Sequence, residues 1–255
     1  MNPALAHPAF APFARWIVAG RLPTFTELEC YARDIGLALP DGRPLCFMRR
    51  CGGGALAYET AIARDAVIPV HDGSHDWFNA LAWLAFPRTK AALNALHVLE
   101  HASGTPNRRS RARDAATLLD ESGVLLACDE PQLVQLLRDH AWQELFVTRR
   151  AEVLCHLRAF VIGHGVLEKL QTPFRGITAR ALVVAAGPDL RADATEASAV
   201  VDAAAAAIVS SSLRPEELLP LPLAGLPGWD CEGLGARLFD DVSVFRATRA
   251  TLSRP

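Results

Sequence analysis

Three observations predict an α+β fold, with helices packed on a mixed or antiparallel sheet in a single globular domain spanning residues 1–255. Hydrophobic residues make up 51% of the 255 and the formal charge is −2, so the chain can bury a sizeable core and is not disordered. Long apolar stretches at helical spacing recur, at 76–86, 88–102 and 193–210. Between them lie β-rich runs, among them a hairpin pattern over 115–127 and a strand over 177–186. No low-complexity linker or internal repeat divides the chain.

Taken in order, residues 8–19 and 24–35 read as opening helices, the second with Thr24 as cap and Glu27 at the reciprocal position. Residues 44–48 and 57–63 read as two strands flanking CGGGA. That glycine run lacks the spacing of a phosphate loop, and no clear helix is expected after it. A helix over 76–86, with Ser74 as N-cap, is apolar almost all round through Trp77, Phe78, Leu81, Trp83, Leu84 and Phe86. Pro87 ends it, and a second helix follows over 88–102.

In AATLLDESGVLLA two strands, 115–119 and 124–127, are expected to turn through Asp120, Glu121, Ser122 and Gly123. A short helix is expected over 131–140, with Pro131 in its first turn. Periodicity leaves 151–163 open between strand and buried helix. His164 stands between Gly163 and Gly165, where backbone can approach something closely, and 166–170 reads as helical. After strand 177–186 and the alanine-rich helix 193–210, the tail LLPLPLAGLPGWD is too proline-rich for regular structure and reads as an extended strap; 242–245 reads as an edge strand.

The candidate site lies on the two central helices. Lys90, Asn94, His97 and His101 fall at i, i+4, i+7 and i+11 and share one face, while His75 and Asn79 are one turn apart on the preceding helix. Amides and imidazoles are unusual on a merely solvated face and costly to bury unless paired or bound to something. A metal-free site follows, for hydrolysis or transfer on a small anionic substrate. His75 or His97 acts as acid or base, Asp76 orients an imidazole, Asn79 and Asn94 hold a polarised oxygen, and Lys90 or Arg113 binds the anion. His164 and Glu168, one turn apart, complete the substrate-binding set.

Two alternatives stand beside it. His97, Glu100 and His101 fit H-x-x-E-H, which puts two imidazoles on one helical face for zinc, with a third ligand unassigned among Glu144, His164 and Glu168. The dipeptides His71-Asp72 and His75-Asp76 are a weaker metal pattern. The other alternative is a binding module, in which Arg108, Arg109, Arg111 and Arg113 and the proline strap contact nucleic acid or a partner protein; the near-neutral charge disfavours nucleic acid.

The segments HDWFNALAWLAFPRTKAALNALH, RDAATLLDESGVLLA, FVIGHGVLEKLQTPFRGITARAL and LPLAGLPGW, in that order, are similar to those of a bacterial family catalogued as domain of unknown function 3025. The likeness runs from about Phe13 to Phe245. It implies one domain and transfers no activity, cofactor or partner, so whether a metal or other cofactor is bound stays unknown at this point.

The six cysteines show no C-x-x-C spacing and are expected to be reduced and structural. With no signal-peptide pattern, and an apolar run at 197–209 interrupted by Asp202, the expectation is a cytoplasmic protein without a membrane span.

Overall fold

The computed structural model describes residues 3–50, 54–103, 110–185, 193–230 and 232–247. A proline-bearing 3-10 segment, Pro8–Trp16, opens the core instead of the expected α-helix, since Pro12 removes an amide from its middle. Its Phe10, Phe13 and Trp16 are buried, with Phe10 on Phe78 and Phe13 on Phe86. Helix α1 (Phe25–Asp34) starts on the Thr24–Glu27 capping box that the sequence predicts.

Strand β1 (Cys46–Arg49) leads to α2 (Ala55–Asp65), so the strand expected over 57–63 is a helix and the glycine run does precede one. Ala61 and Ile62 on one face are buried, and the αL residue Ala66 closes the helix. The partner of β1 is instead β2 (Val67–Val70), paired in parallel across that helix.

Helices α3 (Ser74–Ala85) and α4 (Pro87–Ser103) follow. Phe86, at φ −132° and ψ 54°, makes the corner that Pro87 imposes. The first turn of α4 is capped from a distance: Asp202 accepts from the backbone N–H of Arg88 at 3.0 Å and of Thr89 at 2.8 Å. That accounts for a buried carboxylate in the middle of an alanine-rich helix.

The predicted hairpin over 115–127 is not present. Residues Arg111–Ser122 form α5, capped by Ser110, and the chain passes directly into β3 (Gly123–Cys128). Ala115, Ala116 and Leu119 are buried on one helical face, which settles the period as helical. Gly123 allows the abrupt change: a Cβ there would lie 2.1 Å from the Leu119 carbonyl oxygen.

Helix α6 (Pro131–Arg138) carries Pro131 in its first turn as predicted. Residues 151–163 divide between α7 (Arg150–His156) and β4 (Leu157–Val161), so Cys155 and His156 sit on a helix end rather than a strand. Then come α8 (His164–Lys169), β5 (Thr178–Val184) and α9 (Ala194–Ser212), the last lying along α4.

The expected strap contributes β6 (Leu218–Pro222), and Leu218, Leu221, Leu223 and Leu226 are buried, so this stretch is not an exposed proline surface. It lies at the sheet margin, where prolines that cannot donate to a ladder are tolerated. Residues 242–245 turn rather than pair as a strand.

The sheet order is β4-β3-β5-β6, with β3 and β5 parallel and the outer pairs antiparallel, so of the mixed or antiparallel sheet expected it is the mixed one. Every residue of β3 is buried, as expected of a strand covered on both faces. Among the described residues no helix is long and apolar enough to cross a membrane. Cys30, Cys46, Cys128 and Cys155 are free thiols.

Candidate functional site

The two polar lines on α3 and α4 meet, but they meet in the interior. Lys90 is 3% exposed, and its Nζ donates to Asn79 Oδ1 at 2.7 Å and to the carboxylate of Asp120 on α5. Asn79 Nδ2 donates to the Tyr58 hydroxyl at 2.8 Å, as does Trp83 Nε1 at 3.1 Å. Asn94 is also buried, and its Nδ2 donates to the Glu59 backbone oxygen at 3.0 Å and to Glu59 Oε2 at 2.5 Å.

Helices α2, α3, α4 and α5 therefore close over a polar network whose members answer one another. The amides expected to hold a substrate oxygen are engaged with Tyr58 and Glu59, and the lysine expected to hold an anion is engaged with Asp120. His97, on the same stripe, is buried and within electrostatic reach of Asp120.

Burial sets the protonation of this network. It pushes the Glu59 carboxyl up to about 7, against the opposing bond from Asn94. It pushes the Tyr58 hydroxyl well above its ordinary range, so the phenol is neutral. At Asp120 burial is the largest influence and acts in the same upward direction, but Lys90, His164 and His97 together outweigh it and hold the carboxyl below its usual value.

Asp120 has a neighbour with a different environment. Glu121, on the last turn of α5, faces outward to α3 and α8. Its Oε1 lies 3.4 Å from His164 Nε2 and 4.0 Å from His75 Nε2. The rings of His75 and His164 meet edge to face with centroids 4.4 Å apart. Behind His75, Glu168 Oε2 is 3.2 Å from Nδ1, while Glu168 Oε1 accepts from Ser74 Oγ at 2.5 Å.

The depth of the members differs. His164 is 5% exposed, whereas His75 and Glu121 are 44% and 49% exposed. Hydrogen bonding holds both carboxyls below their ordinary range, His164 acting chiefly on Glu121 and Ser74 on Glu168. His75, Glu121 and His164 offer one ligand atom each within 4.8 Å of one another, the one such three-ligand group among the described residues.

The glycines around His164 hold the cluster tightly. A Cβ on Gly163 would lie 2.3 Å from the Gly123 backbone nitrogen, and one on Gly165 would lie 3.0 Å from the Glu121 carbonyl oxygen. The close approach expected of Gly-His-Gly is therefore an approach to the α5–β3 junction, the element that carries Glu121.

Several expected roles fall differently. Asp76 does meet an imidazole, but that of His71, at 2.7 Å; the carboxylate behind His75 is Glu168. Among the described residues no three-ligand group joins His97 and His101 to Glu144, His164 or Glu168. Arg108 and Arg109 lie outside the described residues, and Arg111 pairs with Glu216. Arg113 Nε is buried without a hydrogen-bond partner. Depressions of about 580 and 680 Å³ lie along α4 and α9, away from both polar groups.

Asp120 and Glu121 are tempting in the sequence as acid and base, but turn chemistry is the favoured reading there; Tyr58, Glu59 and Ser74 carry no signal for either group. Ser110 with Asp114 was a helix-start signal that would have put Asp120 and Glu121 on a helix end.

A family model described as protein of unknown function (DUF3025) matches residues 47–249, most of the chain, which therefore belongs to that family. No curated protein and no solved structure matches it.

Proposed function

We propose that this member of the family is a hydrolase that activates water at the His75–Glu121–His164–Glu168 cluster for attack on a small polar substrate arriving from solvent. The observation that carries the reading is the convergence of His75, Glu121 and His164 within 4.8 Å at a half-open surface, directly beside a polar network that is closed. Proton-moving groups gathered where a substrate can reach them are what acid–base chemistry requires.

Glu168 is ionised at neutral pH and can only accept, so His75 Nδ1 donates to it, and in the neutral imidazole this turns the Nε2 lone pair toward Glu121. Ser74 Oγ donates to Glu168 and is not directed at a reacting centre. With no side chain in the cluster poised as a nucleophile, water is the attacking group, which favours hydrolysis over transfer through a covalent enzyme intermediate. The expected small anionic substrate needs positive charge that Lys90 does not supply here, because Asp120 already holds it.

The test is a panel of chromogenic carboxylic esters, phosphate esters and amides, assayed with the wild type, Glu121→Gln and His75→Gln. Turnover that falls about 100-fold or more in both variants, with thermal unfolding unchanged, is the expected outcome. Absence of turnover on every member of the panel, or turnover that both variants retain, overturns the reading.

A further inference from the structure

Resting on the reading of this cluster as the reactive centre, we propose that His75, Glu121 and His164 bind a divalent transition-metal cation of the zinc type, with Glu168 positioning His75 from behind.

Distance is the first argument. Ligand atoms about 2.1 Å from a tetrahedral zinc stand roughly 3.4 Å from one another. Glu121 Oε1 and His164 Nε2 are 3.4 Å apart, and Glu121 Oε1 and His75 Nε2 are 4.0 Å apart. All three ligand atoms lie within 4.8 Å of one another, so side-chain adjustments of up to about 1.4 Å, open to a half-exposed histidine and glutamate, bring the set to the separation zinc imposes.

The second argument is the support behind the ligands. Metal-binding histidines characteristically donate their other ring N–H to a carboxylate, which fixes the tautomer and raises the basicity of the coordinating nitrogen. Glu168 stands in that relation to His75 and is itself fixed by Ser74. The three ligands come from α3, α5 and α8; α8 packs against both of the others, and Gly163 and Gly165 bring it against the α5–β3 junction. Coordinates this constrained are what a metal site needs and what a flexible acidic surface lacks.

Charge points the same way. Among the described residues no lysine or arginine pairs with Glu121 or Glu168, whose only ionic partners are His75 and His164. Two carboxylates without a fixed counter-charge, beside two imidazoles, are suited to a cation and poorly suited to an anion.

Donor chemistry selects the class. Two imidazoles and one carboxylate favour zinc, cobalt, iron or manganese over calcium or magnesium, which prefer oxygen donors. Three protein ligands with two of them half-exposed leave a coordination position for water, the pattern of a catalytic rather than a structural site. A cation there would lower the pKa of bound water and supply the positive charge that an anionic or carbonyl substrate requires.

The experiment uses the full chain, stripped with chelator and dialysed, titrated calorimetrically with Zn²⁺ and in the visible range with Co²⁺. One cation per chain is expected, with affinity reduced at least tenfold in Glu121→Gln and in His75→Gln. Glu168→Gln should weaken binding by about 10- to 100-fold and shift the Co²⁺ absorption band, which a purely structural role would not do. A His97→Ala, His101→Ala variant should bind as the wild type does.

Wild-type binding no tighter than that of folded Glu121→Gln overturns the proposal, and so does loss of binding confined to the His97/His101 variant. Cation binding without any hydrolysis overturns the hydrolase reading and leaves the site standing. Hydrolysis that survives chelation in full, and still needs His75 and Glu121, overturns the cation and leaves the hydrolase.

Discussion

Asp120 and Glu121 are sequence neighbours with the same charge, yet they belong to opposite kinds of polar group. Asp120 turns inward to Lys90 and the amide of Asn79 answers the same ammonium, so the network closes on itself under four helices. Glu121, half in solvent, turns outward to two imidazoles that no arginine or lysine among the described residues accompanies. The difference teaches that a buried polar line is evidence of structure when its members satisfy one another. Chemistry is better sought where polar atoms converge and remain unsatisfied.

The comparison is sharpest at Lys90. Lys90→Met keeps the volume but leaves Asp120, whose side chain is 18% exposed, without its counter-charge, and about 3 kcal/mol of stability or more should be lost in urea unfolding. A loss below about 1 kcal/mol would mean that water or another group already answers Asp120, and the network would no longer count as closed.

Next in size is a pH effect. Glu59 is raised from 4.5 to about 7 in the folded protein, so the folded state binds its proton more tightly than the unfolded one. The stabilisation is fully present below pH 4.5 and is lost as pH rises through about 7, a difference of order 3 kcal/mol. Glu59→Gln should flatten that part of the stability profile. An unchanged profile would show that Glu59 titrates as an exposed carboxylate does.

Gly163→Ala tests the join between the two regions. The added methyl meets the Gly123 backbone nitrogen, and a loss of about 1–3 kcal/mol is expected. If α8 shifts to relieve the clash, the cation affinity proposed above falls with it; unchanged stability and affinity would mean that the close approach does not hold the cluster.

The smallest effect is expected at Glu121, where Glu121→Gln should change stability by less than about 0.5 kcal/mol, as a half-exposed carboxylate outside the core. A loss as large as that of Lys90→Met would put Glu121 in the same structural class as Asp120 and remove the contrast.

Local signals decided the elements whose causes are local. The Thr24–Glu27 box, Pro131 in a first helical turn and Phe86 ahead of Pro87 were legible because each acts through its nearest neighbours in the chain. Gly163 and Gly165 announced a close approach, although not to what. In AATLLDESGVLLA the same four turn-forming residues suit a hairpin or a helix end, and the burial of Ala115, Ala116 and Leu119 was needed to choose.

By itself the sequence determined the α+β class, the corner at Pro87 and the presence of polar lines on both central helices. Only the tertiary structure decided that Lys90 meets Asn79 and Asn94 meets Glu59 in the interior, and that Glu121, supplied by α5, lies against His75 and His164. The reason is physical: helical period fixes which residues share a face, but what that face meets depends on packing between elements that lie far apart in the chain.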